Sequence, residues 1–93
     1  MIVVINDDMV RDVEAYLPAA KAFAADAVAN DEGCISMEVL VDPAVPGRVL
    51  YLSHFESEEA FRAHATGKTF QKHLPELGKY FISANDTILT VVE

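Results

Sequence analysis

Apolar and polar positions change their period several times along this chain. Residues 2–6, Ile-Val-Val-Ile-Asn, are a β-branched run that stops at a polar cluster, the pattern of a buried strand. Asn6-Asp7-Asp8 then offers side chains suited to capping a helix. From 9 to 30 the period becomes helical. Val10, Val13, Leu17, Ala20, Ala24 and Ala27 form one stripe, with Phe23 and Val28 beside it. Pro18 lies inside the stripe; it has no N–H to donate and its ring crowds the preceding turn, so a kink or restart is expected near Tyr16–Pro18. Asn30-Asp31-Glu32-Gly33 ends the helix, with Gly33 suited to a positive φ.

Residues 34–41 alternate with period two, placing Cys34, Ser36 and Glu38 on one face and Ile35, Met37, Val39 and Val41 on the other. The turn-rich stretch from Asp42 to Gly47 connects this strand to a third over 48–56. There Tyr51, Ser53 and Phe55 point one way, and Leu50, Leu52, His54 and Glu56 the other. Ser57 is an N-cap followed by Glu58 and Glu59, where the helix dipole favours carboxylates. That helix runs to about Ala65 and ends near Thr66-Gly67. A second short helix over 69–77 presents Phe70, Leu74 and Leu77 on one side, with Pro75 expected to distort it. Residues 86–92 form the last strand.

The order β-α-β-β-α-β is that of the ferredoxin-like split βαβ arrangement, an α+β fold with a four-stranded antiparallel sheet. Its helices lie on one face, and the apolar strand residues of the other face call for a cover. A second copy of the same sheet is the expected one, giving a homodimer. The 93 residues read as a single domain, 1–93. Hydrophobic residues make up 52% of the chain and charged ones 24%, an apolar balance for a domain this small, in keeping with an apolar face shared between subunits.

The formal net charge is −8. Phosphate backbones and anionic membrane surfaces are therefore repelled, and nucleic acid and membrane are excluded as expected partners. With one cysteine there is no internal disulfide. Neither a signal peptide nor a long apolar span is visible, so the expected location is the cytoplasm.

Candidate chemistry is sparse. His54, His64 and His73 can each change charge near neutral pH, or serve as hydrogen-bonded structural residues. His64 follows Phe61 by three positions and so shares its helix face; it is the first choice for a polar group entering an apolar pocket. His73 follows Phe70 in the same way, and His54 lies opposite Phe55, toward the expected dimer face. No metal-ligand spacing occurs, and there is neither a glycine-rich dinucleotide fingerprint nor a phosphate loop, so no metal or cofactor is expected. Cys34 reads as a small buried hydrophobe. Phe23, Tyr51, Phe55, Phe61 and Phe70, with Met37, would wall a flat aromatic ligand or fill a core equally well.

Gly33-Cys34 with Glu38, then Phe55-Glu56-Ser57-x-x-Ala60-x-x-x-His64, then Phe70 and Leu74 to Leu77, resembles the antibiotic biosynthesis monooxygenase domain over nearly the whole chain. The resemblance implies a dimeric α+β barrel in which two open sheets pack together and a ligand pocket lies between each sheet and its helices. Family members include cofactor-independent oxygenases of anthrones or quinols, isomerases, haem-degrading enzymes and proteins without assigned activity. The family's Glu-x-Trp strand pattern is replaced here by Ser53 and Phe55, and the chain has no tryptophan. Of the haem-degrading pattern, Asn6 matches, the tryptophan position falls on His64, and His73 is one residue from the ligand position.

The resulting expectation is a cofactor-independent monooxygenase of a small electron-rich aromatic. His64 is the proton acceptor, and Asn6 a hydrogen-bond donor to the oxygen that gains charge. Met37, Phe55, Phe61, Phe70 and His73 contact the substrate. The alternatives are a non-catalytic small-molecule-binding dimer and an isomerase of a small oxygenated metabolite.

Overall fold

The computed structural model describes residues 1–93. Strand β1 (Ile2–Val10) is followed by helix α1 (Val13–Asn30), strands β2 (Cys34–Val41) and β3 (Arg48–Phe55), helices α2 (Glu58–Ala65) and α3 (Lys68–Leu77), and strand β4 (Phe81–Thr90). The four strands form one antiparallel sheet in the order β2-β3-β1-β4. This is the ferredoxin-like α+β arrangement, with the second helical segment divided in two at Gly67.

Three boundaries depart from the sequence pattern. Asp7 and Asp8 do not cap a helix; β1 runs on through them to Val10, which belongs to the strand and not to the helical stripe. Ile2, Val4, Asp8 and Val10 are all buried on one side, so the period of two continues across the polar residues. The cap of α1 is Asp12, in the left-handed region at φ 51, whose carboxylate accepts from the Ala15 N–H at 3.2 Å. Pro18 leaves α1 unbroken. Tyr16 before it and Ala20, Phe23, Ala24 and Ala27 after it are buried on one face, so packing holds the helix through the lost hydrogen bond. Strand β4 starts five positions before the expected residue 86 and ends at Thr90, because the lengthened β1 supplies partners as far as Val10↔Phe81.

Both edge strands carry an irregularity. In β2 the register shifts between Cys34 and Ser36, and in β4 between the partners of Met9 and Val10. The first corrects the expected face assignment. Cys34 turns inward beside Ile2, Val4, Ala27 and Phe55, on the same side as Met37, while Ser36 faces the other side and meets His54 Nδ1 at 3.2 Å.

The helices cover one face of the sheet. One core cluster joins Val10, Tyr16, Ala20, Phe23, Val49, Tyr51 and Leu77; a smaller one gathers around Phe55. Helix α1 packs on β2 and α3, and α2 on β2 and β3, while β4 beyond Phe81 stays exposed. On the other face, register places Val3, Ile5, Leu50, Leu52, Leu40 and Leu89 together. Leu40 and Leu89 are exposed there. Arg48 edges this face, held by both oxygens of Asp7 at 3.0 and 2.7 Å and by Asp42 at 2.7 Å. No helix is long and apolar enough to cross a membrane.

Candidate functional site

Between the sheet and its helices lies a cavity of about 180 Å³. Phe23 of α1, Phe61, His64 and Ala65 of α2, and Phe70 and Leu77 of α3 form its helical wall. Asn6 and Asp8 of β1, Tyr51 of β3, and Phe81, Ala84 and Asp86 of β4 form its sheet wall. Strand alternation explains the second set: residues 6 and 8 point to the same side, and their β4 partners are Asp86 and Ala84.

His64 is placed by a chain of local constraints. Ser57 caps α2 by accepting from the Ala60 N–H at 3.1 Å. Gly33, at φ +83, brings the end of the preceding loop so close to Ala60 that a Cβ there would sit 2.5 Å from the Ala60 Cβ. Its carbonyl also accepts from the Glu56 N–H at 2.9 Å. One turn beyond Ala60, on the same face, comes His64, 7% exposed and ringed by Phe23, Phe55 and Phe61.

The imidazole Nδ1 lies 2.5 Å from Asp31 Oδ2, and Thr69 Oγ1 donates to Asp31 Oδ1 at 2.5 Å. A carboxylate at Nδ1 favours the proton on that nitrogen, leaving Nε2, which makes no hydrogen bond within the protein, as the basic position. His64 also borders a second, polar crevice with Asn30, Asp31, Glu32, Lys68 and Thr69. His64 thus borders both the aromatic-walled cavity and the polar crevice.

The sheet side of the cavity is polar in a different way. Asp8 is buried, and its Oδ1 has no hydrogen-bond partner. Burial, reinforced by the neighbouring Asp86 and Asp7 charges, pushes its carboxyl up to about 6. The Tyr51 hydroxyl is paired with that of Tyr16. Burial raises the Tyr16 phenol to about 12 and the Tyr51 phenol further still, so both stay neutral and one donates to the other. Asn6 Nδ2 donates to Asp86 Oδ1 at 2.7 Å, which occupies one of its two amide protons.

Of the residues singled out from the sequence, His64, Asn6, Phe61 and Phe70 line the cavity together. Phe55 does not: it is fully buried beneath Phe61 and His64. Met37 packs between the two core clusters, under α1. His73 is tied to Asp26 at 2.8 Å and meets Phe23 edge-on, backing the wall. Asp8, Phe81, Ala84 and Asp86 also line the cavity, and none of them is an expected site residue from the sequence. Asp8 was hidden by its polarity, although the spacing Ile2, Val4, Asn6, Asp8, Val10 carries the signal. Phe81 and Ala84 precede the strand that the sequence pattern predicts.

The sequence matches the antibiotic biosynthesis monooxygenase family over residues 1–75. No curated protein matches it. Among solved structures, an antibiotic biosynthesis monooxygenase superposes with a TM-score of 0.85 at 17% identity, covering 100% of both chains. A conserved protein from Methanosarcina mazei gives 0.80 at 20% identity over 94% of this chain and 88% of its own. SnoaB, a cofactor-independent oxygenase from Streptomyces nogalater, gives 0.82 at 16% identity over 99% of this chain and 93% of its own.

Proposed function

Because the chain belongs to the antibiotic biosynthesis monooxygenase family, we propose that it is a cofactor-independent monooxygenase of a small electron-rich aromatic, a quinol or anthrone, with O₂ as co-substrate. The observation that carries this reading is the aromatic-walled cavity bordered by a buried imidazole whose Nδ1 is held by a half-buried carboxylate. The likeness to SnoaB, an oxygenase that works without a cofactor, is in keeping with it.

The cavity volume, about 180 Å³, compares with roughly 150 Å³ for a cavity that admits benzene. One aromatic ring fills it, and further rings of a polycyclic substrate project past the exposed β4.

In the reaction, His64 Nε2 takes the proton of a substrate hydroxyl, converting the ring to an anion able to reduce O₂. A carbon–oxygen bond forms at a ring CH or CH₂ carbon. Loss of water from the hydroperoxide then leaves a carbonyl. One oxygen atom stays on the product and one leaves as water, all four electrons coming from the substrate. The proton leaves by way of Asp31 and the polar crevice. Phe23, Phe61 and Phe70 keep bulk water from the anion, and the free amide proton of Asn6 is available to the oxygen that gains charge.

The functional unit in this reading is a homodimer through the open sheet face, where Val3, Ile5, Leu50 and Leu52 supply the apolar centre. A native mass about twice 10.2 kDa is expected.

Oxygen uptake by purified, metal-stripped protein with a panel of quinols and anthrones, corrected for autoxidation, tests the activity. Protein-dependent uptake with one atom of labelled O₂ in the product is the expected result. Conversion of a panel compound without uptake would establish an isomerase instead, and binding without conversion a non-catalytic dimer.

A further inference from the structure

Asp8 is the one buried side-chain atom set without a partner in this fold. It is 3% exposed, and its Oδ1 accepts no hydrogen bond from the protein. Leaving a buried carboxylate unpaired is expensive, and native folds seldom do so without a reason. The carboxylate lies on the sheet wall of the cavity, on β1, whereas His64 borders the same cavity from α2 on the helical wall. Around Asp8 stand the Tyr51 hydroxyl from β3, bonded to Tyr16 of α1, and the Asp86 carboxylate from β4, which is already engaged by Asn6. Nothing in that shell satisfies it.

We propose that Asp8 receives the hydrogen bond of a second substrate hydroxyl, so that the preferred occupant of the cavity is an aromatic ring carrying hydroxyls on two opposed edges, one met by His64 and the other by Asp8. This rests on the reading of the cavity as a quinol site and narrows it. A neutral hydroxyl suits the position better than an ammonium, which would have to be stripped of water between Phe23, Phe61 and Phe70. An aromatic carboxylate is repelled by Asp8 and Asp86 together. A carboxyl pushed up to about 6 also shares a phenolic proton more evenly than an ordinary carboxylate does.

The test is binding under anaerobic conditions, where turnover plays no part. Hydroquinone and 4-methoxyphenol, which differ only in the second hydroxyl, are titrated into the wild type and Asp8→Leu by calorimetry. A hydrogen bond to a charged acceptor corresponds to a gap of about tenfold or more in Kd. That gap is expected in the wild type and should close in Asp8→Leu. Asp8→Asn keeps the shape without the charge, and should narrow the gap in the same direction if the leucine variant fails to fold. Equal affinities in the wild type, a gap that survives both substitutions, or no binding of either compound at millimolar concentration would overturn the assignment. A gap that depends on Asp8, in a protein that takes up no oxygen, would keep the two-hydroxyl site and remove the oxygenase reading.

Discussion

His64 Nδ1 lies 2.5 Å from Asp31 Oδ2, and the second oxygen of that carboxylate is held by Thr69. Asp31 follows directly on α1, His64 is on α2 and Thr69 on α3, so one carboxylate ties the ends of three helices to one imidazole. Asp31 lies outside the cavity lining and acts on a substrate only through His64.

Asp31→Asn should therefore lower kcat for a quinol by about tenfold or more, by loosening the orientation of the imidazole and the tautomer that leaves Nε2 free. KM should hardly move. Steady-state oxygen uptake separates the two parameters. A rise in KM at constant kcat would show that the substitution disturbs the cavity itself.

Gly33→Ala should destabilise the fold. The positive φ disfavours any Cβ, and the Ala60 methyl at 2.5 Å leaves it no space. A loss of about 2 kcal/mol or more is expected in urea unfolding. Activity should fall as well, because Gly33 sets the approach of α2 and hence of His64. Shortening the opposing side chain with Ala60→Gly should recover the part of the loss that comes from the clash, leaving the backbone part.

The Tyr16 and Tyr51 hydroxyls satisfy each other within the core. Removing either one strands its partner, so Tyr16→Phe and Tyr51→Phe should each cost about 1–3 kcal/mol. The double variant should cost clearly less than the two losses together, since no hydroxyl is then left unpaired. Chemical denaturation of the four proteins completes the cycle, and strict additivity would show that the hydroxyls are not coupled.

Asp8 makes stability depend on pH in the direction opposite to an ion-paired carboxylate. Its folded carboxyl is pushed up to about 6, so between about pH 4 and 6 the folded chain holds a proton that the unfolded chain has released. Stability contributed at this site falls as pH rises through that window, and the full cost, roughly 2–3 kcal/mol, stands above it. Asp8→Leu should thus stabilise the protein more near pH 7 than near pH 4, by about that difference. Urea midpoints at fixed protein concentration measure it. An equal gain at both pH values would place the carboxyl at its ordinary range.

The period of the apolar residues disclosed the element order, because each strand and helix buries a regular face. It failed where burial and polarity parted company. Asp8 sits in a buried strand position, so a polar letter concealed a continuing strand and the sheet wall of the cavity with it. The irregularity after Cys34 turned the strand's inward face over, which alternation alone cannot reveal. His64, Phe61 and Phe70 were legible as neighbours on one cavity wall because helical spacing groups them. Asp31, two residues before Gly33, looked like part of a helix stop, and only the folded chain brings it to His64. Phe55 and Met37 have the composition of a ligand wall but serve as core.

The exposure of β4 beyond Phe81 has a kinetic meaning. The three helices pack against one another and against β2 and β3, leaving β4 beyond Phe81, where Ala84 and Asp86 line the cavity, the least covered part of its wall. Passage of a ligand across this strand would need no hinge, and turnover should then be insensitive to solvent viscosity and paced by the bond-making step. The shelter that a closing loop gives other enzymes would then come from the bulk of the substrate itself.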